Sequence, residues 1–439
     1  TILKERKRVI INFLIIIQMI MRVIFNVSHF AMYWVLFIFL YNPPVVRNDL
    51  LIHILAIMGA FTILRSYKNK KIFVNLLKET KIWFFSLALF FICIYLLVFD
   101  CIGRTADVAY GRIYIYMILA IELVMIAFYI CLYYWKTQKN WSILLKDLLI
   151  VGNIQGIIAL VAFLNPSIKS SLTTLMFANG VDTINSYLLS VRFYGFATYL
   201  TSTTAIIQIV LGVIAIWMCF EKSYKYVIYV PLLFFSAIIN ARSTLVIGGI
   251  GIGLIILWKV NLKNKRIIKE IFITIIIIIF CKNIVIPKLH MLDSWEWIQS
   301  GIDEIFSFFK GNESGYFEYL NNKFFFPEKM SEFLFGTGHS VFRANVFSDV
   351  GYVNDVWMIG VILTAILYLS YLAVIVSKYG KTIRTYRFIK IFLALTFIIY
   401  NIKGIVIGNN EIVRLSILIA VSTFFVTKSR KEVEEKWKM

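Results

Sequence analysis

Apolar residues along this chain fall into long runs separated by short polar stretches. Runs of roughly 16 to 22 residues are long enough to cross the ~30 Å hydrocarbon layer as helices. About twelve spans are expected, near residues 20–41, 50–66, 82–99, 113–135, 147–165, 199–220, 225–240, 243–258, 267–286, 356–377, 388–406 and 411–427. Residues 9–41 are too short for two spans and a turn, so they read as an interfacial helix leading into one span, or as one long tilted helix. The expected fold is all-α: a single transmembrane domain over 1–439 with a large outer loop, 287–355, between late spans. In that loop Asp293 and Ser294 are suited to cap a helix bearing Ile298, Ile302, Ile305 and Phe309 at helical spacing, with Trp295 and Trp297 at the membrane interface. A second short helix, 328–334, is expected to end at Gly336.

Charge gives the layout a direction. About 30 of the 45 Lys and Arg fall in alternate connections, 65–81, 136–146, 221–225, 259–269 and 378–390, and in the two terminal segments, as expected for cytoplasmic segments. Both termini then lie in the cytoplasm, and 42–49, 100–112, 166–198, 240–243, 287–355 and 408–411 form the outer face. Lys4 to Arg8 followed by an apolar run imitates a signal peptide, but no small-residue cleavage site follows, so the segment reads as an uncleaved anchor.

Composition removes other classes. With 60% hydrophobic residues and a mean hydropathy of +0.81, the chain lies outside the soluble range of roughly 45–50%. A net charge of +21 invites nucleic acid, yet no soluble basic face exists to carry it. The charge is topological and favours anionic membrane lipids. The five cysteines lack the spacing of a disulfide framework or a zinc site, and no metal motif appears. Gly248, Gly249, Gly251 and Gly253 lie inside an apolar span, which excludes a nucleotide loop; Gly249 and Gly253 fit close helix packing.

The candidate chemistry lies on the outer face. Arg192 and Arg242 sit at outer span ends beside expected helix starts, Thr198 and Ser243-Thr244. A guanidinium beside a helix N-terminus binds phosphate through its planar fork, the free N–H groups and the helix dipole. The competing reading is interfacial arginines snorkelling to water. In the late loop, Gly336-Thr337-Gly338 permits a sharp turn that exposes His339, followed by Ser340, Arg343, Asp349, Tyr352, Asn354 and Asp355. His339, Asp349 and Tyr352 are candidates to take the proton of an attacking hydroxyl; Asn354 or Asp355 is read as the cap of the next helix. Among charges within spans, which need partners, are His53, Glu122, Lys282, Lys403, Glu411 and Arg414. Glu411 and Arg414 are spaced to pair on one helix, and Arg414 is alternatively a third phosphate contact.

Arg192-Phe-Tyr-Gly-Phe196 before a span, Asn240-Ala-Arg-Ser-Thr244 in a tight turn, and Phe335-Gly-Thr-Gly-His339 with Ser348-Asp-Val-Gly-Tyr352 ahead of the next span resemble the O-antigen and capsular polysaccharide polymerases, the Wzy family, kin to the O-antigen ligases. The likeness extends to the many spans and the late outer loop. It implies a metal-independent, cofactor-free membrane glycosyltransferase of GT-C type in the bacterial cytoplasmic membrane. Its implied donor and acceptor are undecaprenyl-diphosphate-linked oligosaccharides, and a chain-length regulator protein is an implied partner. By likeness Arg192 and Arg242, with Arg343 and Arg414, meet the diphosphate, while Asp349, His339 and Tyr352 serve the acceptor, Asp349 ranking above His339 as base. A ligase, or a flippase for lipid-linked oligosaccharide, is the alternative.

Overall fold

The computed structural model describes residues 29–44, 49–102, 108–137, 140–178, 195–197, 202–241, 243–259, 322–338, 348, 350–378, 380, 382–408 and 410–437. The fold is all-α: 84% helical, with no strand among the described residues. The helices are α1 (His29–Tyr41), α2 (Leu50–Leu64), α3 (Tyr67–Glu79), α4 (Ile82–Cys101), α5 (Val108–Met117), α6 (Leu123–Thr137), α7 (Trp141–Leu164) and α8 (Pro166–Ala178). Then follow α9 (Ser202–Glu221), α10 (Val230–Ile238), α11 (Ser243–Lys259), α12 (Met330–Phe335), α13 (Gly351–Val376), α14 (Arg384–Tyr400) and α15 (Glu411–Trp437). A π-helical turn, Ile118–Glu122, joins α5 to α6, and a 3-10 segment, Tyr224–Tyr229, leads into α10.

Among the described residues five helical stretches are long and apolar enough to cross a membrane: 82–101, 110–137, 141–164, 202–221 and 351–376. Counting α2 and α3 as one bent span makes six, and α1, Tyr224–Ile238 and Ser243–Trp258 are apolar but shorter. The expected span at 267–286 and the helix at Asp293 lie outside the described residues. The stretch 65–81, expected as a connection, is largely helix α3, bent 113° from α2. It buries Ile72 and Leu76 and turns Lys68, Lys70, Lys71 and Lys78 outward, the pattern of a surface-lying amphipathic helix. The expected span 388–406 stops at Tyr400, and the helix expected at 328–334 is Met330–Phe335 with Gly336 as its C-cap.

Packing also corrects the glycine reading of α11. Gly249 and Gly253 face open space, whereas a Cβ on Gly251 would lie 2.7 Å from Val213 and 2.9 Å from Phe392, and one on Gly248 3.1 Å from Ile209. The close-packing face is therefore Gly248 and Gly251, three residues apart on the side toward α9 and α14.

Contacts sort the helix ends into two poles. At one, Lys378 pairs with Glu79 and lies 5.0 Å over Phe424, Arg384 stands 3.8 Å from Glu221, and Arg384 donates to the Trp258 carbonyl at 3.0 Å. Lys428 lies over Trp135 and Trp141 stacks on Phe425, bringing the end of α6 and the start of α7 to the same pole. At the other, Gly351 N–H donates to the Asn401 carbonyl at 2.9 Å, Thr204 to Glu411 at 2.8 Å, and Tyr95 to the Phe335 carbonyl. The first pole carries most of the described lysines and is the basic pole of the bundle.

Candidate functional site

At the pole opposite the basic one, irregular segments dip into the bundle. Helix α13 is broken at Gly360, whose φ of 77° and ψ of 163° belong to a region open essentially to glycine alone. The break frees carbonyls that a continuous helix would satisfy four residues on. Thr337 N–H donates to the Trp357 carbonyl at 2.7 Å, its Oγ1 to the same oxygen at 2.9 Å, and Gly338 N–H to the Met358 carbonyl at 3.1 Å. Gly336, also at φ 77°, meets Gly360 so closely that a Cβ on either would lie 2.6 Å or less from backbone of the other segment. The sharp turn expected at Gly336-Thr337-Gly338 is thus present, docked about 13 Å of helical rise below the start of α13. Non-helical backbone at such depth is tolerated because protein encloses it; Gly336 and Gly338 are buried.

A second segment dips comparably. Gly195, with φ of 71°, approaches Gln155 of α7, and Phe196 N–H donates to Gln155 Oε1 at 3.1 Å. Gln155 lies about 13 Å of rise inside the Leu164 end of α7. The glycine of each motif stretch therefore seats its segment at a similar depth on the same side of the bundle.

Between them runs a chain of buried polar groups. Asn354 Nδ2 donates to the Ser348 and Val350 carbonyls at 2.8 and 2.9 Å, tying the loop to the first turn of α13. Asp355, 1% exposed, is not a cap: it sits in the second turn. Tyr368 donates to its Oδ2 at 2.6 Å, while Oδ1 accepts no hydrogen bond among the described residues and lies 4.0 Å from Arg112 Nη1 of α5. From Asn401 the polar groups continue through the Tyr400–Ser202 hydroxyl pair to Thr204 and Glu411. One turn along α15, Arg414 is fully buried and donates Nη1 to the Phe39 and Leu40 carbonyls at 3.2 and 3.3 Å. These carbonyls belong to the last turn of α1, where a cation satisfies free acceptors and the helix dipole together. Tyr41 accepts from Gln208 at 3.0 Å, completing the path toward α7.

Of the expected site residues, Tyr352 and Arg414 are described. The Tyr352 hydroxyl donates to the Ile398 carbonyl at 2.8 Å, and its ring meets Tyr368 edge-on at 5.6 Å. Arg192, Arg242, His339, Arg343 and Asp349 lie outside the described residues, although Gly195, Ala241, Ser243, Gly338, Ser348 and Val350 beside them are described. Sequence reasoning missed Arg112, Tyr116 and Tyr368 around Asp355. Arg112 and Tyr116 are four apart on one helix face, a signal of an inward polar stripe, but their partner comes from α13, which no local pattern reveals.

No protein-family model matches the chain, and no curated protein or solved structure matches it either.

Proposed function

We propose that the chain is a polysaccharide polymerase of the Wzy type, joining undecaprenyl-diphosphate-linked repeat units on the outer face of the bacterial cytoplasmic membrane. In this reading the bundle is GT-C-like with about twelve spans, and the basic pole and both termini face the cytoplasm. The observation that carries the proposal is the presence, at the pole opposite the basic one, of two glycine-seated segments, at Gly195 and Gly336, together with buried charge, the Asp355–Arg112 pair and Arg414.

The acceptor hydroxyl oxygen attacks the anomeric carbon of the donor, the carbon–oxygen bond to the lipid diphosphate breaks, and the hydroxyl proton passes to a carboxylate. Asp349 is assigned that role, with His339 and Tyr352 beside the acceptor. Charge grows on the departing diphosphate, where Arg192, Arg242 and Arg343 are assigned; Arg414, expected there too, is instead buried against the last-turn carbonyls of α1. Each such donor is worth roughly 2.7–4 kcal/mol to the transition state. Arg112, held beside the Asp355 carboxylate, adds a cation that the motifs do not contain.

The break in α13 also fits a transporter of lipid-linked oligosaccharide, since discontinuous helices line many transport sites. Arg242→Ala in the native host separates the readings. A polymerase defect leaves carriers capped with single repeats, a ligase defect removes attached glycan, and a transport defect strands intact units inside. Normal long chains would refute the assigned role of Arg242.

A further inference from the structure

A separate polar chain crosses the flank formed by α2, α5 and the π-helical turn. His53 Nδ1 lies 2.8 Å from Glu122 Oε2, and His53 Nε2 lies 2.9 Å from the Tyr114 hydroxyl. That hydroxyl reaches Asp49 Oδ2 at 3.4 Å, and Asn42 Nδ2 donates to the other Asp49 oxygen. Glu122 closes the π-helical turn, a local widening of the helix that recurs at functional sites. The His53 and Glu122 side chains are 29% and 24% exposed, among the exposed apolar neighbours Ile54, Ile57 and Ile121. Ionisable groups on such a flank are uncommon unless they serve a purpose.

The groups facing His53 are Glu122 and Tyr114, with Asp49 behind the phenol. Helix α1 brings only Asn42 to this chain, and α6, packed on α2 through Met125 and Gly59, has its single charged residue, Lys136, near the basic pole. Proton bookkeeping gives two complete arrangements. With neutral His53, Nδ1–H donates to Glu122 and the phenol donates to Nε2. With the imidazolium, both ring N–H groups donate and the phenol turns to Asp49.

From this alternation we infer that Asp49, Tyr114 and His53 form a proton relay serving Glu122 from the pole opposite the basic one. A protonated Asp49 gives its proton to the phenolic oxygen, the phenolic proton passes to Nε2, and the Nδ1 proton passes to Glu122. Asp49 ends ionised, Glu122 ends neutral, and His53 has exchanged tautomers. The reverse transfers reset the chain. Glu122 is thereby a proton-binding site that exchanges with water at one pole, and no step depends on glycosyl transfer.

The test is a rapid pH drop on the full chain in detergent, followed by time-resolved infrared absorption of protonated carboxyl groups. The band missing in Glu122→Gln belongs to Glu122. Tyr114→Phe, which removes one oxygen, should slow its appearance on the order of a hundredfold, the scale of a positioned proton-transfer group, while its final extent is unchanged. His53→Phe should do the same, and Tyr114→Phe alone decides the matter if that variant fails to fold. An unchanged rate in folded Tyr114→Phe, or no band lost in Glu122→Gln, overturns the relay.

Discussion

Two buried aspartates, Asp355 near one pole and Asp147 near the other, are about equally hidden, each 1% exposed, yet they are finished differently. Asp147 Oδ2 takes a hydrogen bond from Tyr134 at 2.5 Å and has His29 Nε2 at 3.2 Å, with Tyr33 close by. Among the described residues Asp355 takes one bond, from Tyr368, and Oδ1 finds no donor, lying 4.0 Å from Arg112. An unmet buried carboxylate oxygen is costly, and a fold retains such a cost where the group has work beyond packing. The comparison separates a structural acid at the basic pole from an acid at the motif pole that keeps acceptor capacity in reserve.

The comparison breaks most severely when α13 loses the bend that sets Asp355 in place. Gly360→Ala puts a Cβ 2.3 Å from the Leu334 carbonyl oxygen in a conformation that L-residues avoid. Strain and overpacking together should cost about 2–5 kcal/mol, read as a fall in the unfolding midpoint in detergent. Next is Asp147→Asn, which weakens the contacts to Tyr134 and His29; a loss of about 2–3 kcal/mol in the same assay, with activity per folded molecule retained, is expected. The tyrosine partners sharpen the contrast. Tyr368→Phe strips Asp355 of its hydrogen bond and should cost about 2 kcal/mol, whereas Tyr134→Phe leaves Asp147 its His29 contact and should cost about 1 kcal/mol. The smallest effect belongs to Tyr352→Phe, which deletes the solvent-accessible bond to Ile398 for about 0.5 kcal/mol. If Tyr352 also serves the acceptor, polymer formation falls further than this stability change explains.

Periodic and compositional signals located most elements because a membrane span is specified by its own residues. The starts at Leu50, Ile82, Ser243 and Glu411 coincide with the expected ones, and the described basic residues Lys378, Arg384 and Lys428 gather at one pole. Misreadings arose where tertiary contacts decide. Helix α3 was hidden because its lysines read as a polar connection, while its burial of Ile72 and Leu76 depends on neighbouring helices. Asp355 read as a cap because it follows a polar loop, but the helix starts earlier, where Gly351 and Asn401 hold the backbone. The turn at Gly336 was legible from its glycines; that it fills the gap in α13 was not, because the acceptors at Trp357 and Met358 exist only once Gly360 breaks the helix. His53 and Glu122 each stood out as charges in apolar runs, but 69 positions separate them and no local spacing joins them.

The most direct measurement is polymer length made by purified Asp355→Asn and Asp147→Asn chains, each supplied with lipid-diphosphate-linked repeat units and compared per folded molecule. Asp355→Asn should leave carriers bearing single repeats while Asp147→Asn still builds long chains. Long chains from Asp355→Asn, or equal loss in both variants, would contradict a reaction site at the motif pole.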